Sequence, residues 1–339
     1  MQAFLLAAGL GTRLRPITDV YAKPAVPFLN VPLLFWSLEL VQQFKPSSYV
    51  INLHHLPQTV QKLMTSPAVA DLKTSWSLEA EAPLGSGGAL TFAGSRGLLT
   101  DEELIVANAD EIILPIDKMA TARLLENHRR GGAIATLLTM KHPDAGTKFG
   151  GVWHDGAGSV FGFGRDRALY PKAKGALHYV GLILLNKRVL NYLPKTGESN
   201  LLYDGLLSAI QAGEKVTAHE EELFWQETGN AHDFLEATSA ALSLLSPLVH
   251  TDASVLAKKI VYKYAPLGTR YWQSLSGAQM LISPIADGSL KESEICAHLE
   301  KEKAFAVIGA NAKIRFSISN SVVLPNGLVN EPLEAEIAY

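Results

Sequence analysis

Cysteine is almost absent from this chain: Cys296 is the single one among 339 residues. An intrachain disulfide is therefore excluded, and so is a zinc site built on several thiolates. Charge is also sparse, with 19% Asp, Glu, Lys and Arg and a formal net charge of -3. No stretch gathers several Lys and Arg residues, so the basic footprint that a nucleic-acid groove needs is missing. A phosphate-bearing partner is expected to be a small molecule held in a local site. Long hydrophobic runs are missing too, none reaching the roughly 18 to 20 residues that span a bilayer. The apolar start, residues 1–10, lacks a basic leader. It runs into Gly11-Thr12-Arg13-Leu14-Arg15-Pro16, where a secretory leader would carry a small-residue cleavage site. The expectation is a soluble cytoplasmic protein whose partners include neither nucleic acid nor a membrane.

What is plentiful is apolar residue, 47% of the chain, enough for a large domain and a smaller one. Short apolar runs alternate with amphipathic stretches through the first two thirds. Residues 3–7, 49–53, 103–107 and 133–140 read as strands. Residues 32–44, 58–64 and 120–130 read as helices, the first with Leu34, Leu38 and Val41 at helical spacing. This alternation predicts an α/β fold with a mostly parallel, mixed sheet covered by helices on both faces, binding ligands at the carboxyl ends of its strands. After Met140, segments 150–153 and 158–163 flank Asp155-Gly156 and predict a hairpin. Residues 202–212 and 230–245 read as helical. The boundary is placed at Ser246-Pro247, giving domains 1–246 and 247–339. In the tail, Ile308, Ile314, Val322 and Leu328 recur about six residues apart, a pattern of one or two coils of a left-handed β-helix. So few coils cannot bury a core alone and would lean on the main domain or on another subunit.

The strongest local signal is Leu6-Ala7-Ala8-Gly9-Leu10-Gly11-Thr12-Arg13-Leu14-Arg15-Pro16, followed by Lys23-Pro24-Ala25-Val26-Pro27. A strand ends in a loop where Gly9 and Gly11 let backbone N–H groups approach oxygen atoms. Arg13 and Lys23 supply the cations that a triphosphate requires. No Gly-Lys-Ser/Thr ending follows, so this is not a Walker loop, and Leu14 stands where a dinucleotide fingerprint has its third glycine. Glycine spacing alone would favour a tight strand-to-helix turn. The full string decides otherwise: it resembles the sugar-phosphate nucleotidyltransferases, or NDP-sugar pyrophosphorylases, whose motif reads L-A-A-G-x-G-T-R-L-x-P-x-T and then K-P-x-x-P. The resemblance runs from Met1 to about Leu245 and implies a Rossmann-like nucleotide-binding fold. It places Leu6, Ala8, Gly9, Gly11 and Thr12 on the nucleotide, with Arg13 on the phosphates.

Further segments are similar to the same family. Pro83-Leu84-Gly85 opens a stretch like the family's P-L-G-T-A-G, which approaches the base. Asp110 closes Asn108-Ala109-Asp110, where the family has N-G-D or N-A-D. A carboxylate at a strand end beside a triphosphate loop suits a hard cation such as Mg²⁺. Trp225-Gln226-Glu227-Thr228-Gly229 looks like W-x-D-x-G, whose acid gives the metal its second carboxylate, with Glu227 here in place of Asp. Gly150-Gly151 and Val180-Gly181 match segments that bracket the sugar. The family's F-x-E-K-P is replaced by Phe163-Gly164-Arg165-Asp166-Arg167, leaving Arg165 or Arg167 to substitute for the phosphate-gripping lysine. His54-His55 is not read as a metal site, because neighbours on a strand point to opposite faces. No nucleophile-elbow string accompanies the Ser and His residues, which makes a hydrolase a poor reading.

The resemblance implies an Mg²⁺-dependent enzyme, most similar to mannose-1-phosphate guanylyltransferases, joining GTP and mannose 1-phosphate with release of pyrophosphate. A uridylyltransferase acting on another sugar 1-phosphate, and a nucleotide-sensing relative without turnover, stay open. The C-terminal region is expected to serve oligomerisation or regulation.

Overall fold

Phe4, Leu5, Val50, Ile51, Ile105 and Val106 are each fully buried. Because successive strand residues point to opposite faces, this requires cover on both sides of the sheet. They lie in a nine-stranded sheet of the computed structural model, which describes all 339 residues. One path through the sheet runs Val160–Gly164, Gly151–His154, Gly175–Asn186, Glu103–Asn108, Gln2–Leu6, Tyr49–Leu53 and Thr74–Leu78. The last four strands are mutually parallel. The long strand Gly175–Asn186 is antiparallel to its neighbours. It also carries Ala135–Met140, to which Val216–Glu220 adds in parallel. The predicted hairpin forms, its two strands antiparallel. Helix Gly85–Ser95 contributes Ala89, Leu90 and Ala93 to one core cluster with Phe4, Val50 and Val106.

The chain packs as two units: Met1–Leu10 with Ser37–Trp225, and Gly11–Trp36 with Gln226–Tyr339. The second unit therefore takes the phosphate-motif segment together with the C-terminal third. Its reason is local. The strands Pro27–Phe28 and Val31–Pro32 turn through Leu29 and Asn30, both at positive φ. The buried Phe28 ring meets Trp36 at 5.6 Å and Phe234 at 5.5 Å, both edge-on. Asn30 Nδ2 donates to Ser283 Oγ and to the Ile308 carbonyl, each at 2.9 Å. Helix Ala231–Leu244, started by an Asn230 cap on the Asp233 N–H, is thus grouped with the C-terminal region by packing.

The tail does form a β-helix fragment, and because its three-sided coils repeat every 15 residues, the step from side to side is nearer five residues than six. Val307 lies opposite Val322, Lys313 opposite Leu328, Ile318 opposite Leu333, and Val322 opposite Ile337, all in parallel. Partners along these coils stand 15 residues apart, as Arg315 and Asn330 do. Ile308 and Ile314 join the core of the coils, whereas Val323, not Val322, pairs with Ile308 there, and Val329 takes the buried place next to Leu328, which is 47% exposed. A step of one residue turns a strand side chain to the other face, so counting by sixes lands on the wrong residue.

Candidate active site

In the first unit the carboxyl ends of three parallel strands converge. Leu6 stands opposite Asn52 on one side and Asn108 on the other. The Ala109 N–H donates to the Leu6 carbonyl at 3.1 Å, so the chain entering Asp110 is tied to the chain entering Ala8 and Gly9. Gly9 is exposed, with nothing within 4 Å of where a Cβ would stand. Such an open backbone at a strand end can receive a phosphate or a ribose.

Asp110 is half-buried and is followed by a second carboxylate that the sequence reading passed over. Glu111 has both oxygens engaged: Oε1 accepts from Asn108 Nδ2 at 2.6 Å and Oε2 from Trp225 Nε1 at 2.8 Å. Gly181, at φ 82°, is required here, since a Cβ would stand 2.7 Å from Asn108 Nδ2. Val180 is fully buried, backbone included, and so does not take the ligand-facing place expected of it. Burial, with the Glu111 carboxylate adding to it, holds the Tyr179 phenol above its ordinary range.

Segment 83–85 is fixed by polar contacts. Glu79, only 2% exposed, accepts the Leu84 N–H on Oε2 at 2.8 Å. His54 is bound through Nδ1 to the Glu79 carbonyl at 2.6 Å. Gly85, at φ 69°, passes so close to the Ser199 carbonyl that a Cβ would stand 2.5 Å from its oxygen. A cavity of about 380 Å³ lies behind this segment, lined by Leu84, Glu81, Arg96, Lys195 and Gly197.

Gly150 and Gly151 line a cavity of about 200 Å³ with Phe149, His178, Tyr179 and Tyr203. Arg165 is exposed and donates to the Lys148 carbonyl at 2.6 Å, which brings it to the 148–151 segment. Arg167 opens a short 3₁₀ turn on the surface. The Lys148 ammonium lies 5.2 Å from the centre of the Phe149 ring, a further cation at this segment that the motif comparison did not flag.

His178 is 6% exposed, and neither ring nitrogen has a partner. Trp225 packs on it at 4.3 Å, Phe149 at 4.9 Å and His142 at 5.5 Å. Burial, with His142 adding to it, pushes its pKa down to about 4. Below pH 6.5 the unfolded chain therefore binds the proton that the folded chain refuses, and stability must fall with pH down to about 4. The drop attributable to this group is about 3 kcal/mol. His178→Phe is expected to flatten that part of the profile in denaturant unfolding between pH 7 and 4. A variant profile parallel to the wild-type one would refute the assignment.

In the second unit, Arg13 and Glu227 are brought together. Nη1 and Nη2 of Arg13 both donate to Glu227 Oε1 at 3.3 Å. Gly229 makes room for the pair, because a Cβ there would stand 2.7 Å from Glu227 Oε1 and 2.9 Å from Arg13 Nη2. Thr12 and Arg13 are exposed. Thr18 Oγ1 donates to the Gly11 carbonyl at 2.9 Å, and Lys23 is only 9% exposed against that turn. His232, Asp233 and Glu236 also gather potential ligand atoms within 4.8 Å of one another. They sit on one surface helix, where Asp233 binds Asn230 Nδ2 at 2.6 Å, and no cation is assigned to them. No helix in the chain is long and apolar enough to cross a membrane.

The family model described as nucleotidyl transferase matches residues 2–243. The chain is 27% identical over 252 residues to the UTP–glucose-1-phosphate uridylyltransferase of Synechocystis sp., an alignment covering 72% of this chain and 64% of the relative. It thus spans less than two thirds of that protein's length. It is 26% identical over 289 residues to the mannose-1-phosphate guanyltransferase of Yarrowia lipolytica, covering 84% of this chain and 72% of the relative. Among solved structures, a UDP-glucose pyrophosphorylase complexed with UDP-glucose superposes with a TM-score of 0.59 at 16% identity, over 70% of this chain and 97% of that one. HddC from Yersinia pseudotuberculosis, complexed with GMP-PN, gives 0.55 at 18%, over 70% and 98%.

Proposed function

The chain belongs to the nucleotidyl transferase family, and from that premise we propose that it transfers a nucleotidyl group from a nucleoside triphosphate to a sugar 1-phosphate and releases pyrophosphate. The observation that carries this reading is the Ala109-to-Leu6 hydrogen bond, which sets Asp110 beside the chain entering Gly9 at the ends of parallel strands. GTP and mannose 1-phosphate are the substrates proposed, on the likeness to guanylyltransferases; the likeness to a uridylyltransferase makes UTP with another sugar 1-phosphate the second reading.

The reaction is a single in-line displacement. An oxygen of the sugar 1-phosphate attacks the α-phosphorus, a new P–O bond forms, and the bond to the β-phosphate bridging oxygen breaks. A phosphate monoester is anionic near neutral pH, its second pKa being about 6, so no general base is needed. Positioning and charge neutralisation carry the rate. The Arg13 guanidinium would stabilise the departing pyrophosphate, and Lys23 the α-phosphate or the incoming phosphate. Leu6, Ala8, Gly9, Gly11 and Thr12, with the 83–85 segment, would hold the nucleotide; Gly150, Gly151, Gly181 and Arg165 would face the sugar phosphate.

On the family resemblance, Asp110 and Glu227 are the carboxylates that would each offer an oxygen to a hard cation such as Mg²⁺, Glu227 through Oε2 because its Oε1 accepts from Arg13. Glu111 is less suited, since Asn108 and Trp225 already occupy its oxygens. A bound Mg²⁺ would neutralise phosphate charge and orient the oxygens of the triphosphate. The readout is pyrophosphate release; nucleotide binding without release would favour the sensing relative.

We assign catalysis to 1–246 and oligomerisation or regulation to 247–339, in a cytoplasmic protein. Sedimentation of the intact chain is expected to give a multiple of its 36.6 kDa mass. A species of 36.6 kDa over the whole concentration range would remove the oligomerisation reading.

A further inference from the structure

Asn52 and Glu79 are 3% and 2% exposed, lie 27 residues apart in sequence, and belong to no motif singled out above. Their hydrogen bonds form one directed chain. The Ala7 N–H donates to Asn52 Oδ1 at 2.6 Å. Asn52 Nδ2 donates to Glu79 Oε1 at 2.7 Å. Glu79 Oε2 accepts the Leu84 N–H at 2.8 Å. One end of the chain is the backbone at the start of the phosphate loop. The other is the residue that precedes helix Gly85–Ser95, inside the base-side segment.

A buried carboxylate is costly unless every oxygen is satisfied, and here each oxygen meets a donor. Nothing about covering the sheet demands such a group, because an apolar pair would fill the same space at less risk. What the polar pair adds is direction. Each bond has one admissible donor and one acceptor, so the backbone at Ala7 and at Leu84 is held in a single register.

We propose that Asn52 and Glu79 form a positioning pair that sets the base-side segment 83–85 against the start of the phosphate loop, so that base and phosphates are gripped at a fixed separation. The roles given to those two segments rest on the nucleotidyltransferase reading.

The polarity of the chain supplies the test. In E79Q the new amide N–H₂ meets either the Leu84 N–H or the Asn52 N–H₂, and flipping Asn52 only moves the second clash to the Ala7 N–H. In N52D two carboxylates face each other. In N52D/E79Q every bond is restored with the middle one reversed: the introduced carboxylate accepts from Ala7 and from the introduced amide, whose oxygen accepts from Leu84. The net charge is unchanged. Each single variant is expected to raise KM for the nucleotide about tenfold. KM for the sugar 1-phosphate should shift far less, and the double variant should return to within about threefold of wild type. Nucleotide Kd is measured in parallel with GTP and with UTP. Amide exchange of the ligand-free protein is expected to quicken at Ala7, at Leu84 or at both in each single variant and to slow again in the double.

A merely structural pair would lower the melting temperature of the single variants and leave nucleotide KM within about threefold, which overturns the proposal. So would a double variant no better than the worse single one. Failure of the wild-type protein to bind either nucleotide would strike at the nucleotidyltransferase reading, and the exchange data would still decide this one. Unaltered protection of both Ala7 and Leu84 in E79Q would overturn it.

Discussion

Asp110→Asn is expected to lower pyrophosphate release by about 10³-fold, the rate equivalent of about 4 kcal/mol. The substitution keeps the shape and one oxygen acceptor at the end of the strand Glu103–Asn108. It removes the charge that a hard cation requires, so the loss should fall on turnover. Nucleotide bound without metal should hold with similar affinity. The Ala109-to-Leu6 bond is made by the backbone and survives the change, and the melting temperature is expected to stay within about 3 °C of wild type. Turnover reduced less than about tenfold, in a variant with an unchanged melting temperature, would remove Asp110 from the metal site.

Arg13→Ala follows with a loss of about 10² to 10³ in kcat, the range found when one preorganised charge-stabilising donor is removed. The structure separates this effect from stability. The Arg13 side chain is 67% exposed and its ion pair with Glu227 spans 3.3 Å. A surface pair of that kind contributes at most about 1 kcal/mol. Arg13→Lys should recover part of the charge but little of the rate, since an ammonium cannot present the two parallel donors of a guanidinium. Steady-state kinetics beside thermal unfolding checks both claims, and a rate within about threefold of wild type in Arg13→Ala would remove its assigned role.

The strands that are buried on both faces were legible because their apolar runs are short and unbroken. Residues 49–53 were read with the bounds the structure shows, and Glu103–Asn108 ran one residue longer than the apolar run. The edge strand Thr74–Leu78 escaped because only Ser77 along it is fully buried, which leaves no apolar run to see. Helix Gly85–Ser95 was hidden by its glycines. Gly87 is packed 2.7 Å from Leu193 Cδ2 and Ser199 Oγ, measured from where a Cβ would stand, so bulk is excluded there whatever the helix prefers. Leu328 was misplaced because its coils repeat at 15 residues, a spacing set by partners that a short window does not connect.

The candidate site was legible as strings and not as a network. The run from Leu6 to Thr18 and the Asn108-Ala109-Asp110 strand end stand out in one dimension. Glu79 does not. Within Glu79-Ala80-Glu81-Ala82 it looks like any solvated charge, and its partner Asn52 lies on a different strand. Glu111 was missed for the same reason, since the groups that hold it come from Asn108 and from the distant Trp225. Buried polar pairs are specified by tertiary contacts, and local periodicity carries no trace of them.

Pyrophosphate release from the protein with Mg²⁺, measured with each of four nucleoside triphosphates against a panel of sugar 1-phosphates, is the most direct test of nucleotidyl transfer. Release is expected for one nucleotide–sugar pair, GTP with mannose 1-phosphate, and is expected to vanish in Asp110→Asn. Nucleotide bound across the panel with no pyrophosphate released would contradict it.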